Sequence, residues 1–169
     1  MKSAAHFEKV SLEQFKQDWK KHNPDTTDAD IESIYNDVKL PERSSKFSAG
    51  YDFFLPDGIN VYTENDVMIP TGIRCVNMDD DMVLMMFPRS GLGSKYRFCL
   101  ANSVGIVDAD YSLSDNEGHI FMKMVNDGVL DLQLEKGKAF CQGILLRYST
   151  VQDDNVEAVR NGGFGSSNK

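Results

Sequence analysis

Near Pro41 the spacing of apolar residues changes, and with it the kind of structure the chain can form. Beyond that point, short runs of β-branched and apolar residues alternate with Gly, Asp, Asn and Pro. The runs read as strands are 60–62, 67–69, 72–76, 82–87, 98–100, 105–107, 119–125, 129–134 and 139–151. Val129, Asp131 and Gln133 alternate strictly with Leu130, Leu132 and Leu134, the period of a strand with one buried face. Asn126-Asp127-Gly128 lies between two such runs and predicts a hairpin. Many short strands at regular spacing predict an all-β fold, a barrel or a sandwich. No Gly-rich loop joins a strand to a long helix, which argues against a Rossmann or Walker-type nucleotide site.

Before Pro41 the period is helical. Leu12, Phe15 and Trp19 recur at three and four, with Glu13, Lys16, Gln17, Lys20 and Lys21 between them. Ser11 suits an N-cap, and Asn23-Pro24 ends the helix. Thr27 suits the cap of a second helix carrying Ala29, Ile31, Ile34, Tyr35 and Val38. Within a β-rich chain this pair, residues 11–38, reads as a peripheral helical insertion without catalytic role. The other end differs again. Arg160-Asn161-Gly162-Gly163-Phe164-Gly165-Ser166-Ser167 has too little apolar surface to fold alone. Residues 160–169 read as a flexible arm that orders over a ligand: Arg and Ser for phosphate, Phe for a flat ring, Gly for close backbone approach.

At 169 residues, 41% hydrophobic and 26% charged, the chain has the composition of one soluble globular domain. No apolar run approaches the ~20 residues of a membrane span. The amino terminus runs into charge rather than an apolar leader, so a cytoplasmic location is expected. Cys75, Cys99 and Cys141 are dispersed and show neither a disulfide framework nor a zinc spacing. His6, His22 and His119 are too far apart to suggest a metal cluster. The net charge of −8 argues against nucleic acid as a partner. It leaves room for a small anionic ligand held by local cations, backbone N–H groups and a metal ion.

Four stretches before the arm carry site chemistry. Ala49-Gly50-Tyr51-Asp52 brings an acid into a strand through a glycine turn. Pro88-Arg89-Ser90-Gly91-Leu92-Gly93 offers a guanidinium, a hydroxyl and successive backbone N–H groups to a phosphate. The third runs from Asn102 to Tyr111 and the fourth from Lys136 to Gln142. Taken singly, each has a plainer reading: a surface ion pair, a turn residue, solvated acids, a polar strand residue. In this order, with the Gly-Gly-Phe-Gly-Ser-Ser arm, they resemble the all-β dUTP diphosphatases, or dUTPases. All five motifs of that family stand in linear order from Ala49 to Ser167.

The resemblance implies a dUTPase-like β-barrel or jelly roll that cleaves dUTP to dUMP and pyrophosphate with Mg2+ and an in-line water. Asp108 matches the water-activating carboxylate, and Asp52 the acid that holds the metal through water. Arg89, Ser90 and Gly91 match the phosphate-binding turn, and Gln142 an amide near the phosphates. Asn102 matches the uracil-reading amide, with Ile106 and Val107 giving the backbone edge. Uracil offers two carbonyl acceptors and one donor, so cytosine would set a donor against a donor. A tight hairpin there would exclude the thymine methyl. Tyr111 matches the ring beneath the sugar, which leaves no space for a ribose 2′-OH. Arg160, Phe164, Gly165, Ser166 and Ser167 match the arm, with Phe164 stacked on uracil. Relatives with one motif set form sites between three subunits, so a homotrimer is expected.

The chain departs from the family pattern in three places. Tyr111 is followed by Ser112-Leu113-Ser114-Asp115-Asn116-Glu117 where the family has Arg-Gly-acid. Arg160 stands one residue closer to Phe164, and the helical segment precedes Pro41. Two other readings compete: a dCTP-directed relative, which would want a Glu base and another arm, and a dUTPase-like binding module whose insert captures a protein partner.

Overall fold

A computed structural model describes residues 5–156. Arg160, Phe164, Gly165, Ser166 and Ser167, the residues of the expected arm, lie outside the described residues. The chain opens with β1 (His6–Lys9), α1 (Leu12–His22) and α2 (Asp28–Asn36). Strands β2 (Tyr51–Phe54), β3 (Ile59–Val61), β4 (Asp66–Pro70), β5 (Ile73–Val76) and β6 (Met82–Pro88) follow. Then come α3 (Ser90–Tyr96), β7 (Phe98–Leu100), β8 (Gly105–Asp108) and a 3-10 turn, Ala109–Leu113. The last strands are β9 (Phe121–Asn126), β10 (Leu132–Leu134) and β11 (Ala139–Arg147). Pairing is antiparallel throughout these strands, in sheets ordered β2-β11-β6-β8, β4-β9-β7, β1-β5 and β3-β10. This is the expected all-β architecture.

The core lies between the inner faces of the two larger sheets. β6 turns Met82, Leu84 and Met86 inward and β9 turns Met122 and Met124 inward, the two-residue period that buries one face of a pleated strand. Phe53, Phe98 and Phe140 close the centre with almost no exposed surface.

Each helix buries one face against the strands and leaves the other exposed. Ser11 accepts a hydrogen bond from the Gln14 N–H, and Thr27 accepts one from Asp30, so both predicted caps form. Phe15 and Ile31, though, are fully buried in the same core cluster as the strands. Gly72 shows why the fit is close. A Cβ there would lie 3.1 Å from Val38 and 3.2 Å from Phe15, and its φ of +75° suits glycine.

Two local expectations also fail. Asn126-Asp127-Gly128 does not close a hairpin: β9 pairs with β4 and β7, while β10 pairs with β3. Asn126 is buried, and its Nδ2 donates to the carbonyls of Val61 and Leu130, while Gly128 donates to its Oδ1. The segment therefore redirects the chain from one sheet to another. Val129 and Leu130, placed in a strand by their alternation, stay outside it and exposed. Among the described residues no helix is long and apolar enough to cross a membrane.

Candidate active site

Neighbouring strands assemble the first group of candidate residues. Gln142 on β11 sits opposite Asp52 on β2. Gly50 makes this approach possible, since a Cβ there would fall 2.4 Å from Gln142 Oε1. Gln142 Nε2 donates to the Pro88 carbonyl at 3.4 Å. Past the end of β6, Arg89 reaches back over β11, with its Nε 3.3 Å from Asp52 Oδ1. Ser90 opens α3, where the N–H groups of Ser90 and Gly91 precede the first bond of the helix. The sequence reading placed a turn here. Glycines at 91 and 93 disguised a helix, which is held by Leu92 and Gly93 N–H bonds to the Arg89 carbonyl.

These groups line a cleft of about 340 Å³ together with Ser44 and Ser48. Sequence reasoning missed both serines. The hydroxyl cluster Ser44, Ser45 and Ser48 just before Ala49-Gly50 was a usable signal. Arg43 braces that loop by donating to the carbonyls of Lys46 and Ser48. A guanidinium, hydroxyls and an amide around one carboxylate suit a polyanion with an accompanying cation. Cys141, next to Gln142, is no nucleophile. Burial, with the Asp52 charge adding to it, pushes its thiol well above the ordinary value.

The second group lies on β8 and in the turns that flank it. Asn102 is exposed in the turn between β7 and β8, where the Val104 N–H bonds to its carbonyl at 2.7 Å. β7 pairs with β9 and β8 with β6, so this connection crosses between sheets and is not the expected tight hairpin. β8 is the edge of the four-stranded sheet, with one side of its backbone available to a ligand. Ile106 faces outward, Val107 is buried and Asp108 is exposed. Tyr111, in the 3-10 turn, is buried, and its Oη donates to the His119 carbonyl at 2.9 Å.

One chain does not bring Asp108 to the cleft. Gln142 is in register with Phe87 on β6, whereas Asp108 is in register with Val83, four residues further along and on the opposite side of that strand. At about 3.4 Å per residue and about 4.8 Å per strand, Asp108 and Gln142 are on the order of 17 Å apart.

A family model described as dUTPase matches residues 36–168. The chain belongs to the dUTPase family. The match starts at the last residue of α2 and leaves α1 outside. A deoxyuridine 5′-triphosphate nucleotidohydrolase of Lactococcus lactis subsp. lactis is 38% identical over 133 residues, covering 77% of this chain and 88% of its own. One from Mannheimia succiniciproducens is 30% identical over 143 residues, covering 80% and 91%. The crystal structure of a dUTPase from Streptococcus mutans, 31% identical, aligns with a TM-score of 0.64 over 86% of this chain and 98% of that one. Every described motif of this dUTPase family member thus lies within the matched region.

Proposed function

We propose that this chain hydrolyses dUTP to dUMP and pyrophosphate by in-line attack of water on the α-phosphorus, in sites completed by a second and third copy of the chain. The reaction removes dUTP before uracil can enter DNA and supplies dUMP for thymidylate synthesis. The observation that carries the reading is the division of the site. Asp52, Arg89, Ser90 and Gln142 share one cleft, while Asp108 stands four residues further along the sheet, on the opposite side of β6. A water-activating acid must come within hydrogen-bond reach of the water attacking the clamped phosphate. A head-to-tail ring of three identical chains sets the Asp108 end of one chain against the phosphate cleft of the next.

In that assembled site Arg89, the Ser90 hydroxyl, the Gly91 backbone and Gln142 hold phosphate oxygens. Asp108 orients the water and takes its proton. Asn102 and the exposed backbone edge at Ile106 and Val107 read the uracil, and the Tyr111 ring lies beneath the sugar. Arg160, Phe164, Gly165, Ser166 and Ser167 close over base and terminal phosphates. Asp52 is a single carboxylate with one oxygen on Arg89, which fits an ion held chiefly by substrate oxygens and water, as Mg2+ is. When bound, Mg2+ offsets triphosphate charge and draws electron density from the phosphorus.

Pyrophosphate release measured with dUTP, dCTP, dTTP and UTP tests the reading. Turnover of dUTP well above the other three supports it. A preference for dCTP would replace it with the dCTP-directed alternative, and no turnover would leave a binding module.

A further inference from the structure

The helical segment and the Ser112–Glu117 loop, both outside the dUTPase motifs, meet in the fold. The Ser11 N–H and hydroxyl both donate to the Glu117 carboxylate, at 2.7 and 2.6 Å, so the loop ties down the start of α1. Two turns further, Asp18 Oδ2 lies 2.8 Å from His119 Nδ1, with both side chains almost wholly buried. On the other face of the imidazole, Nε2 accepts the Gly72 N–H at 2.8 Å. The ring proton is therefore on Nδ1 and points at Asp18. Gln14 and Lys21 donate to the same carboxylate. Burial alone would lift the Asp18 carboxyl, but hydrogen bonds from His119, Lys21 and Gln14 hold it at about 2. Burial lowers His119 below its ordinary value despite the nearby Asp18 and Glu117 charges, so the pair is a neutral imidazole donating to a carboxylate.

His119 is thus pinned by both ring nitrogens, and its backbone carbonyl accepts the Tyr111 hydroxyl. Asn116 Nδ2 reaches both Tyr111 Oη, at 3.2 Å, and the same carbonyl, at 3.3 Å. Gly118, at φ +72°, presses the loop onto that turn: a Cβ there would lie 2.6 Å from Ser112 Cα and 2.9 Å from the Tyr111 carbonyl oxygen. Neither the tyrosine ring nor the histidine carbonyl can shift without breaking buried hydrogen bonds.

We propose that Asp18 and His119 are positioning residues for Tyr111, so that the first helix sets the height of the sugar floor and with it the preference for 2′-deoxy over 2′-hydroxy nucleotides. This rests on the reading of Tyr111 as the ring beneath the sugar. A floor displaced by a fraction of an ångström admits a 2′-oxygen that the native floor rejects, and such displacements are costly to a preorganised site.

The test is kcat/KM for dUTP and for UTP in the full chain. Asp18→Ala should lower the dUTP/UTP ratio about tenfold, with kcat on dUTP changed about threefold or less. Asp18→Asn, which keeps an acceptor for His119, should recover most of the ratio. In a Tyr111→Phe background, which keeps the ring and loses the hydroxyl, Asp18→Ala should add little. If Asp18→Ala does not fold, Asn116→Ala serves instead and should lower the ratio about threefold. An unchanged ratio in the folded variant, or effects that multiply in full with Tyr111→Phe, overturns the proposal. Tyr111→Leu separates the two readings: an unchanged ratio there removes Tyr111 from the sugar floor, whatever Asp18 does.

Discussion

Two inactive variants should restore each other. In the proposed mechanism Asp108→Asn loses the acid that orients water and Arg89→Ala the cation that clamps phosphate, so each alone should abolish turnover. Strand register puts Asp108 on the order of 17 Å from Gln142, beyond the reach of side chains acting on one phosphorus. If a site takes Asp108 from one chain and Arg89 from the next, mixed trimers contain intact sites. An intact site needs an Asp108→Asn chain at the phosphate position and an Arg89→Ala chain at the acid position. Random assembly of equal amounts supplies that arrangement at about one site in four. Coexpression with two affinity tags, or joint refolding, followed by pyrophosphate release should therefore give about a quarter of native activity per site. The two proteins merely mixed, without subunit exchange, should stay inactive. Tagged mixed oligomers that form and remain inactive would refute the division of the site between chains.

Asp108→Asn alone should lower kcat by several orders of magnitude while dUTP still binds, as calorimetry with a non-hydrolysable analogue would record; near-native turnover would remove Asp108 from the chemistry. Chelation of Mg2+ should depress turnover strongly and its return restore it, in the same pyrophosphate assay. Phe15→Ala should cost about 3–5 kcal/mol in a urea titration, since the ring is fully buried against Gly72 and the strands; a loss below about 1 kcal/mol would make α1 the appendage its sequence suggests. His119 is held below its ordinary 6.5, so an unfolded chain takes up a proton that the folded one refuses. Stability should fall as pH drops below about 6.5, by at most about 1.4 kcal/mol per pH unit from this group, and His119→Gln should flatten that part of the urea-midpoint profile.

The candidate site was legible in the sequence because its residues fall in short linear segments. Asp52 and Gln142 needed only residue type and order to be picked out, and the sheet then placed them side by side. The caps Ser11 and Thr27 were equally local. What was missed depends on distant partners. β1 is four residues with two charges, a strand only because Phe7 and its neighbours pair with β5. Asn126-Asp127-Gly128 has the composition of a hairpin turn, and only the buried bonds from Asn126 to Val61 and Leu130 divert it. The helical period of residues 11–38 shows an apolar face but not what covers it. Gly72 and His119, which do, lie far along the chain.

The span between Asp18 and His119 has a consequence for synthesis. The two are 101 residues apart, and Ser11 is 106 from Glu117. At about 5–20 residues per second, the helix pair leaves the ribosome roughly 5–20 s before the loop that anchors it exists. Through that interval Phe15 lacks the His119 ring that packs beside it, 6.1 Å between centroids. The last-made partner of the first helix thus decides when the nascent chain stops presenting an adhesive surface. A pause in translation before codon 119 prolongs that exposure, whereas a pause after it does not.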